Sequence, residues 1–178
     1  SRAMTYGEYI NMGENAPKNV IFVNIGWGLG MGLILDGKLY YGKSGFSGEI
    51  GHVPLMNNDI ICRCGKVGCL ETGASGSALY RMIMKMLNDG RTSSLSGLYR
   101  ANGDLKLHEI LEAVEKEDML AIEGIEEVGA NLGRGISGLI NIFNPSLVVI
   151  GGRLIVGGEY LLLPIRSAIN KYSLSKVS

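Results

Sequence analysis

Three cysteines, Cys62, Cys64 and Cys69, fall within one short stretch, and the 178-residue chain has no others. An odd, clustered set makes a poor disulfide framework. Thiols converging on one point suit a metal. Zinc takes four ligands tetrahedrally from thiolates and imidazoles. Cys62-Arg63-Cys64-Gly65-Lys66-Val67-Gly68-Cys69 supplies three, and Gly65 and Gly68 let the backbone fold around the ion. The fourth falls to one of two histidines. His52 is ten residues upstream of Cys62, across a loop with Pro54 and Asn57-Asn58-Asp59, whereas His108 is far away in sequence. The expected structural zinc site is therefore His52, Cys62, Cys64 and Cys69. Such a closed site leaves no position for water, so it would fix a loop rather than hydrolyse anything. The competing reading is three ordinary thiols in a reducing compartment.

Around the same loop stand Glu49, three residues before His52, and Glu71, two after Cys69. Two carboxylates and an imidazole could hydrogen-bond a polyhydroxylated ligand, because carboxylates accept well from hydroxyls. The alternative is a solvated surface. Glycines 26, 28, 30 and 32 alternate between two apolar runs, where bare backbone amides could turn toward an anion. They could equally relieve crowding in a tight hairpin. A strand follows them rather than a helix, so this is no dinucleotide-binding loop. Gly151-Gly152 directly follows Leu147-Val148-Val149-Ile150, and ligands in α/β folds bind beyond strand carboxyl ends. Trp27, the only tryptophan, is either core or the cap of a pocket.

The elements that must position these residues read as a mixed α/β lobe. Residues 1–11 can form an amphipathic helix, broken from Gly13 to Pro17. Val20–Ile25 reads as a buried strand, Leu33–Leu35 as a second and Leu39–Tyr41 as a third, with Asp36-Gly37 as the hairpin turn. A helix starts near Ser75 or Ser77 and runs to Asn88, with Gly90 as its stop. Residues 91–104 look polar and irregular, and Leu107–Lys116 forms a shorter helix. Met119–Phe143 carries apolar residues every three or four positions, the mark of a core face. Gly124, Gly129, Gly133, Gly135 and Gly138 in that helix imply close approach by something. Leu147–Ile150 reads as a short buried strand and Tyr160–Tyr172 as a final helix. Three meander strands, helices, then a crossover strand and helix predict a mixed sheet.

Composition bounds the partners. Seventeen Lys and Arg balance seventeen Asp and Glu, so this chain offers no polybasic surface for nucleic acid. No apolar run approaches the roughly 18 residues of a membrane span, and no signal peptide is visible. The expectation is a soluble, cytoplasmic protein. The start, Ser1-Arg2-Ala3-Met4, suggests a longer parent.

The glycine hairpin, Gly48-Glu49-Ile50-Gly51-His52 and Cys62-x-Cys64-Gly65-x-x-Gly68-Cys69-x-Glu71 together resemble the ROK family. These are bacterial sugar kinases and sugar-responsive repressors on the actin-like ATPase (ribonuclease H-like) fold. Asn144-Pro145 and Ile150-Gly151-Gly152 look like that family's adenosine-side segment. The resemblance implies zinc on His52, Cys62, Cys64 and Cys69, and sugar contacts from Glu49, His52 and Glu71. It implies nucleotide contacts from Gly26, Gly28, Gly151 and Gly152, and a homodimer. The departures carry weight too. Family kinases usually have Gly-Thr-Gly where this chain has Gly26-Trp27-Gly28, so an indole replaces a phosphate-serving hydroxyl. By the same likeness the first phosphate loop, Asp-x-Gly-x-Thr, the general base and any helix-turn-helix would precede Ser1, and the last helix would be cut after Lys171. The whole of 1–178 is thus expected to be a C-terminal sugar-binding lobe of a transcriptional regulator that does not itself touch DNA. The alternative is the larger lobe of an ATP- and magnesium-dependent sugar kinase, inactive alone.

Overall fold

The structure is a computed structural model and describes residues 2–174. Ser1, expected to begin the first helix, lies outside the described residues. Helix α1 spans Arg2–Asn11 and the strands are β1 Val20–Ile25, β2 Leu29–Leu35, β3 Lys38–Leu39 and β4 Leu147–Gly151. Between β3 and β4 come α2 Gly76–Asn88, α3 Ser96–Asn102, α4 Leu107–Glu115 and α5 Met119–Phe143, and α6 Gly158–Tyr172 follows β4.

The sheet order is β3-β2-β1-β4. β1 pairs antiparallel with β2 from Val20↔Ile34 to Ile25↔Leu29, and parallel with β4 from Val20↔Leu147 to Asn24↔Gly151. β1 is thus central and buried on both faces, which explains its unbroken apolar run. Ile21, Val23 and Ile25 face the helices α2, α5 and α6, while Val20 and Phe22 pack with Ile34, Tyr9 and Met12 on the α1 side. The result is three layers with the sheet in the middle.

Four expectations need correction. The alternating glycines are not one loop, because only residues 26–28 turn, and Gly30 and Gly32 lie inside β2. Gly32 is small because α1 crosses it: a Cβ there would sit against Thr5 Oγ1. The third strand is Lys38–Leu39 rather than Leu39–Tyr41, since the ladder ends once Tyr40 N–H reaches Leu33 O. Residues 91–104 are not wholly irregular but contain α3, a short helix with no buried residue. β4 is not buried: it is the sheet's edge among the described residues, and Leu147 is exposed. Of the two proposed helix caps, Ser75 serves, its hydroxyl accepting from Ala78 N at 3.1 Å.

Candidate functional site

The knuckle is built by hydrogen bonds that bend residues 60–69 back on themselves. Cys62 N–H donates to Lys66 O at 2.7 Å and Gly65 N–H to Cys62 O at 2.8 Å. Gly65 and Gly68 hold φ of +84° and +72°, a conformation that side-chain-bearing residues enter only at a cost. The bend brings His52, Cys62, Cys64 and Cys69 together, their ligand atoms all within 4.8 Å of one another. Cys62 Sγ lies 3.5 Å from His52 Nδ1, and Cys64 Sγ 3.6 Å from Cys69 Sγ. Thiolates on one tetrahedral ion at ~2.3 Å sit about 3.8 Å apart, so the donor set fits a metal in both chemistry and spacing. His108 lies elsewhere, lining a different cavity.

The thiols have unlike electrostatics. Cys64 is exposed, and its pKa is lowered, first by a backbone hydrogen bond from Lys66. Cys69 is buried, and burial, then hydrogen bonds with Cys64 and Cys62, push its thiol up to about 12. Adjacent buried thiols resist ionising together without a cation to offset their charge.

His52 presents Nδ1 to the thiols and Nε2 toward Glu49, whose Oε2 is 3.9 Å away. Metal binding through one nitrogen therefore leaves the other for a ligand. Glu49 is half exposed and lines a cavity with Arg2, Ala3, Met31 and Ser47. Glu71 lies in another place. Its residue is only 5% exposed, and it faces a cavity of about 260 Å³ with Trp27, Gly28, Arg63 and Arg81. The structure thus joins His52 to the thiols but puts the two carboxylates on separate cavities.

The glycine turn is tied to both. Leu29 N–H donates to Glu71 Oε2 at 2.8 Å. A Cβ on Gly28 would stand 2.6 Å from that same oxygen, so Gly28 yields room to Glu71. Gly76 N–H donates to Gly26 O at 2.7 Å and Ser77 N–H to Trp27 O at 2.9 Å. The first amides of α2 are thereby spent on the turn. Gly152 adopts φ +107° where a Cβ would run into Ile25 O, and Gly151 pairs with Asn24. The next residue, Arg153, lines a cavity of about 520 Å³ with Trp27, Tyr80, Asp104, Lys106 and His108.

Trp27 lines both that cavity and the Glu71 cavity. Its ring meets Tyr80 at 5.7 Å between centroids, tilted by 50°. Tyr80 is held by donating its hydroxyl to Asp104 at 2.6 Å, a bond that raises the phenol's pKa and lowers the carboxyl's. Trp27, half exposed, is therefore a shared edge of two pockets, not core. Sequence reasoning missed Arg63, Arg81 and Tyr80. An arginine between two thiol ligands was the available signal for the first; nothing marked the others.

The mixed sheet with its crossover strand is that of proteins with the actin-like ATPase fold. The chain belongs to the ROK family, whose family model matches residues 1–178. It is 32% identical to a glucokinase of Halalkalibacterium halodurans across 97% of this chain and 52% of that protein. It is 36% identical to a xylose repressor of Caldicellulosiruptor bescii across 87% of this chain and 39% of that one. Among solved structures, a ROK family transcriptional regulator, a homologue of the E. coli MLC protein, superposes with a TM-score of 0.88 at 31% identity. That superposition covers 99% of this chain and 43% of the regulator. The chain spans about half the length, or less, of these relatives. Among the described residues no helix is long and apolar enough to cross a membrane.

Proposed function

We propose that this chain is the sugar-sensing lobe of a ROK-type transcriptional regulator acting in the cytoplasm as a homodimer. DNA would be gripped by a part of the protein other than this charge-balanced lobe. Zinc on His52, Cys62, Cys64 and Cys69 would brace the loop whose ends carry Glu49 and Glu71. Glu71 would accept from sugar hydroxyls in its own cavity, while Glu49 and His52 Nε2 would meet sugar hydroxyls from the separate side that Glu49 lines.

The observation that carries the regulator reading is Trp27. An indole stands where the family's kinases place a small hydroxyl, and it lines both the Glu71 cavity and the larger one beside Arg153. Phosphoryl transfer needs donor phosphate and acceptor hydroxyl in line and in contact. A bulky indole at the edge the two cavities share favours sensing over transfer. The glucokinase relative supports a second reading, the larger lobe of an ATP-dependent sugar kinase. In that reading the 520 Å³ cavity lined by Arg153, the residue after Gly151-Gly152, would take the nucleoside and Gly26 and Gly28 would neighbour the phosphates. An ATP-dependent sugar phosphorylation assay on the full-length protein decides between them. The regulator reading predicts no turnover and sugar-dependent release of operator DNA. A turnover of about 1 s⁻¹ or more, ordinary for a kinase, overturns it.

A further inference from the structure

The Glu71 carboxylate is already engaged. Its Oε1 lies 3.0 Å from Arg63 Nε, and its Oε2 accepts from Arg63 Nη2 at 3.1 Å and from Leu29 N–H at 2.8 Å. A carboxylate offers about four lone-pair directions, so these three contacts leave little room for a ligand. The pair is lopsided. The Glu71 side chain is 7% exposed and that of Arg63 is 68% exposed. Glu71 is the fixed partner, held from behind by a strand amide. Arg63 reaches in from the knuckle, where it stands between Cys62 and Cys64.

We propose that Arg63 is an internal stand-in for the ligand. A neutral sugar with adjacent free hydroxyls must displace its guanidinium to use both oxygens of Glu71. The geometry suits the exchange. Two N–H donors in a fork approach a carboxylate much as two neighbouring O–H groups do. Each N–H···O bond surrendered is replaced by an O–H···O bond, so the exchange costs chiefly the ion pair. That pair is partly in solvent, so its loss is modest and the exchange is reversible. Displacement also has somewhere to go. Arg63 is bonded in sequence to two of the four metal-site residues, so its release alters the knuckle and not merely the pocket. Occupancy of Glu71 is thereby reported to the surface hairpin from Ile61 to Cys69, which presents Ile61 and Val67 to solvent. This inference rests on the proposed sugar role of Glu71.

The test is calorimetric titration of the full-length, zinc-loaded protein with glucose, N-acetylglucosamine and xylose. Wild type is compared with Arg63→Ala and Arg63→Lys, with metal content and circular dichroism recorded for each. Removing a competitor tightens binding, so Arg63→Ala is expected to gain about threefold or more, the range of a solvent-screened ion pair. Arg63→Lys, which cannot fork, falls between the two. Salt gives a second readout that a purely structural arginine would not move. Raising it from about 0.05 M to about 0.5 M loosens the Arg63–Glu71 pair, so wild-type affinity rises while that of Arg63→Ala stays flat. Sugar binding that appears only in the variants also supports the proposal. Unchanged or weaker affinity in a folded, metal-replete Arg63→Ala overturns it and makes Arg63 a ligand contact or a bystander. Binding of none of the three sugars by any of the three proteins is a separate result, and it defeats the sugar reading of the pocket together with the inference.

Discussion

Glu71 is the one acidic side chain of the region that is both buried and aimed into a cavity. Removing its charge while keeping its shape isolates its role. Glu71→Gln retains an acceptor for Leu29 N–H but ends the ion pair with Arg63. Hydrogen bonds to a charged acceptor are worth about 1.5–3 kcal/mol, so sugar affinity should fall tenfold or more. Metal content should stay at the wild-type level, because Glu71 is not among the clustered donors. Calorimetry paired with elemental analysis checks both halves, and wild-type affinity removes Glu71 from the site. At this scale the sequence was most readable where identity alone dictates chemistry. Three thiols and an imidazole at loop-closing distance have few other uses, and the structure gathers all four. The Arg63–Glu71 pair was not readable, since charges eight residues apart meet only once the knuckle has bent.

Among the elements, α5 shows how glycines divide by their surroundings. At Gly133 a Cβ would meet Ile165 O at 2.6 Å and Ala168 Cβ at 2.7 Å, both on α6. At Gly138 nothing lies within 4 Å. Alanine raises helix propensity at either site by about 1 kcal/mol. At Gly133 that gain is outweighed, because α6 backbone must shift and overpacking costs about 1–3 kcal/mol. Gly133→Ala should therefore destabilise and Gly138→Ala stabilise, measured as opposite shifts in the urea midpoint. The same sign for both would show that α5 and α6 do not pack as closely as described. The glycine-rich periodicity correctly announced a close neighbour, but not which glycines met it. Other elements hid for definable reasons. α3 has no apolar periodicity, being a short helix with no buried residue. β4 has the composition of an interior strand, yet its burial depends on what stands beyond it, and among the described residues nothing pairs with its outer edge. Gly32 looked like loop because its reason, the crossing of α1 over β2, is long-range.

Over the whole molecule, two kinds of order coexist. The sheet and the helices α2, α5 and α6 share a continuous apolar core to which none of the four donor residues belongs. The segment from Gly48 to Thr72 has only two single-turn 3-10 helices and two isolated bridges, Pro54↔Cys69 and Ile61↔Val67. It is anchored at its far end, where Leu70 is 1% exposed and fills the space left by Gly135. Between those limits it is held by a few hydrogen bonds, such as Met56 N–H to Gly68 O at 2.9 Å and Leu70 N–H to Val53 O at 2.8 Å, and by the donor cluster. Local opening free energy follows local burial and hydrogen bonding, so such a segment should open without the core. Metal removal by a chelator, or Cys64→Ser, should therefore raise amide exchange and proteolysis between residues 53 and 69. Helical circular dichroism and the main thermal transition should change little. Sugar affinity should drop, because His52 loses its fixed position, a loss that outweighs the freeing of Glu71 from Arg63, while Glu71 itself stays anchored beside Leu70. A cooperative loss of helicity on chelation would instead make the metal part of the folding core, as in domains that are unfolded without it. Full retention of both loop protection and sugar affinity would show that hydrogen bonds alone suffice to shape the pocket.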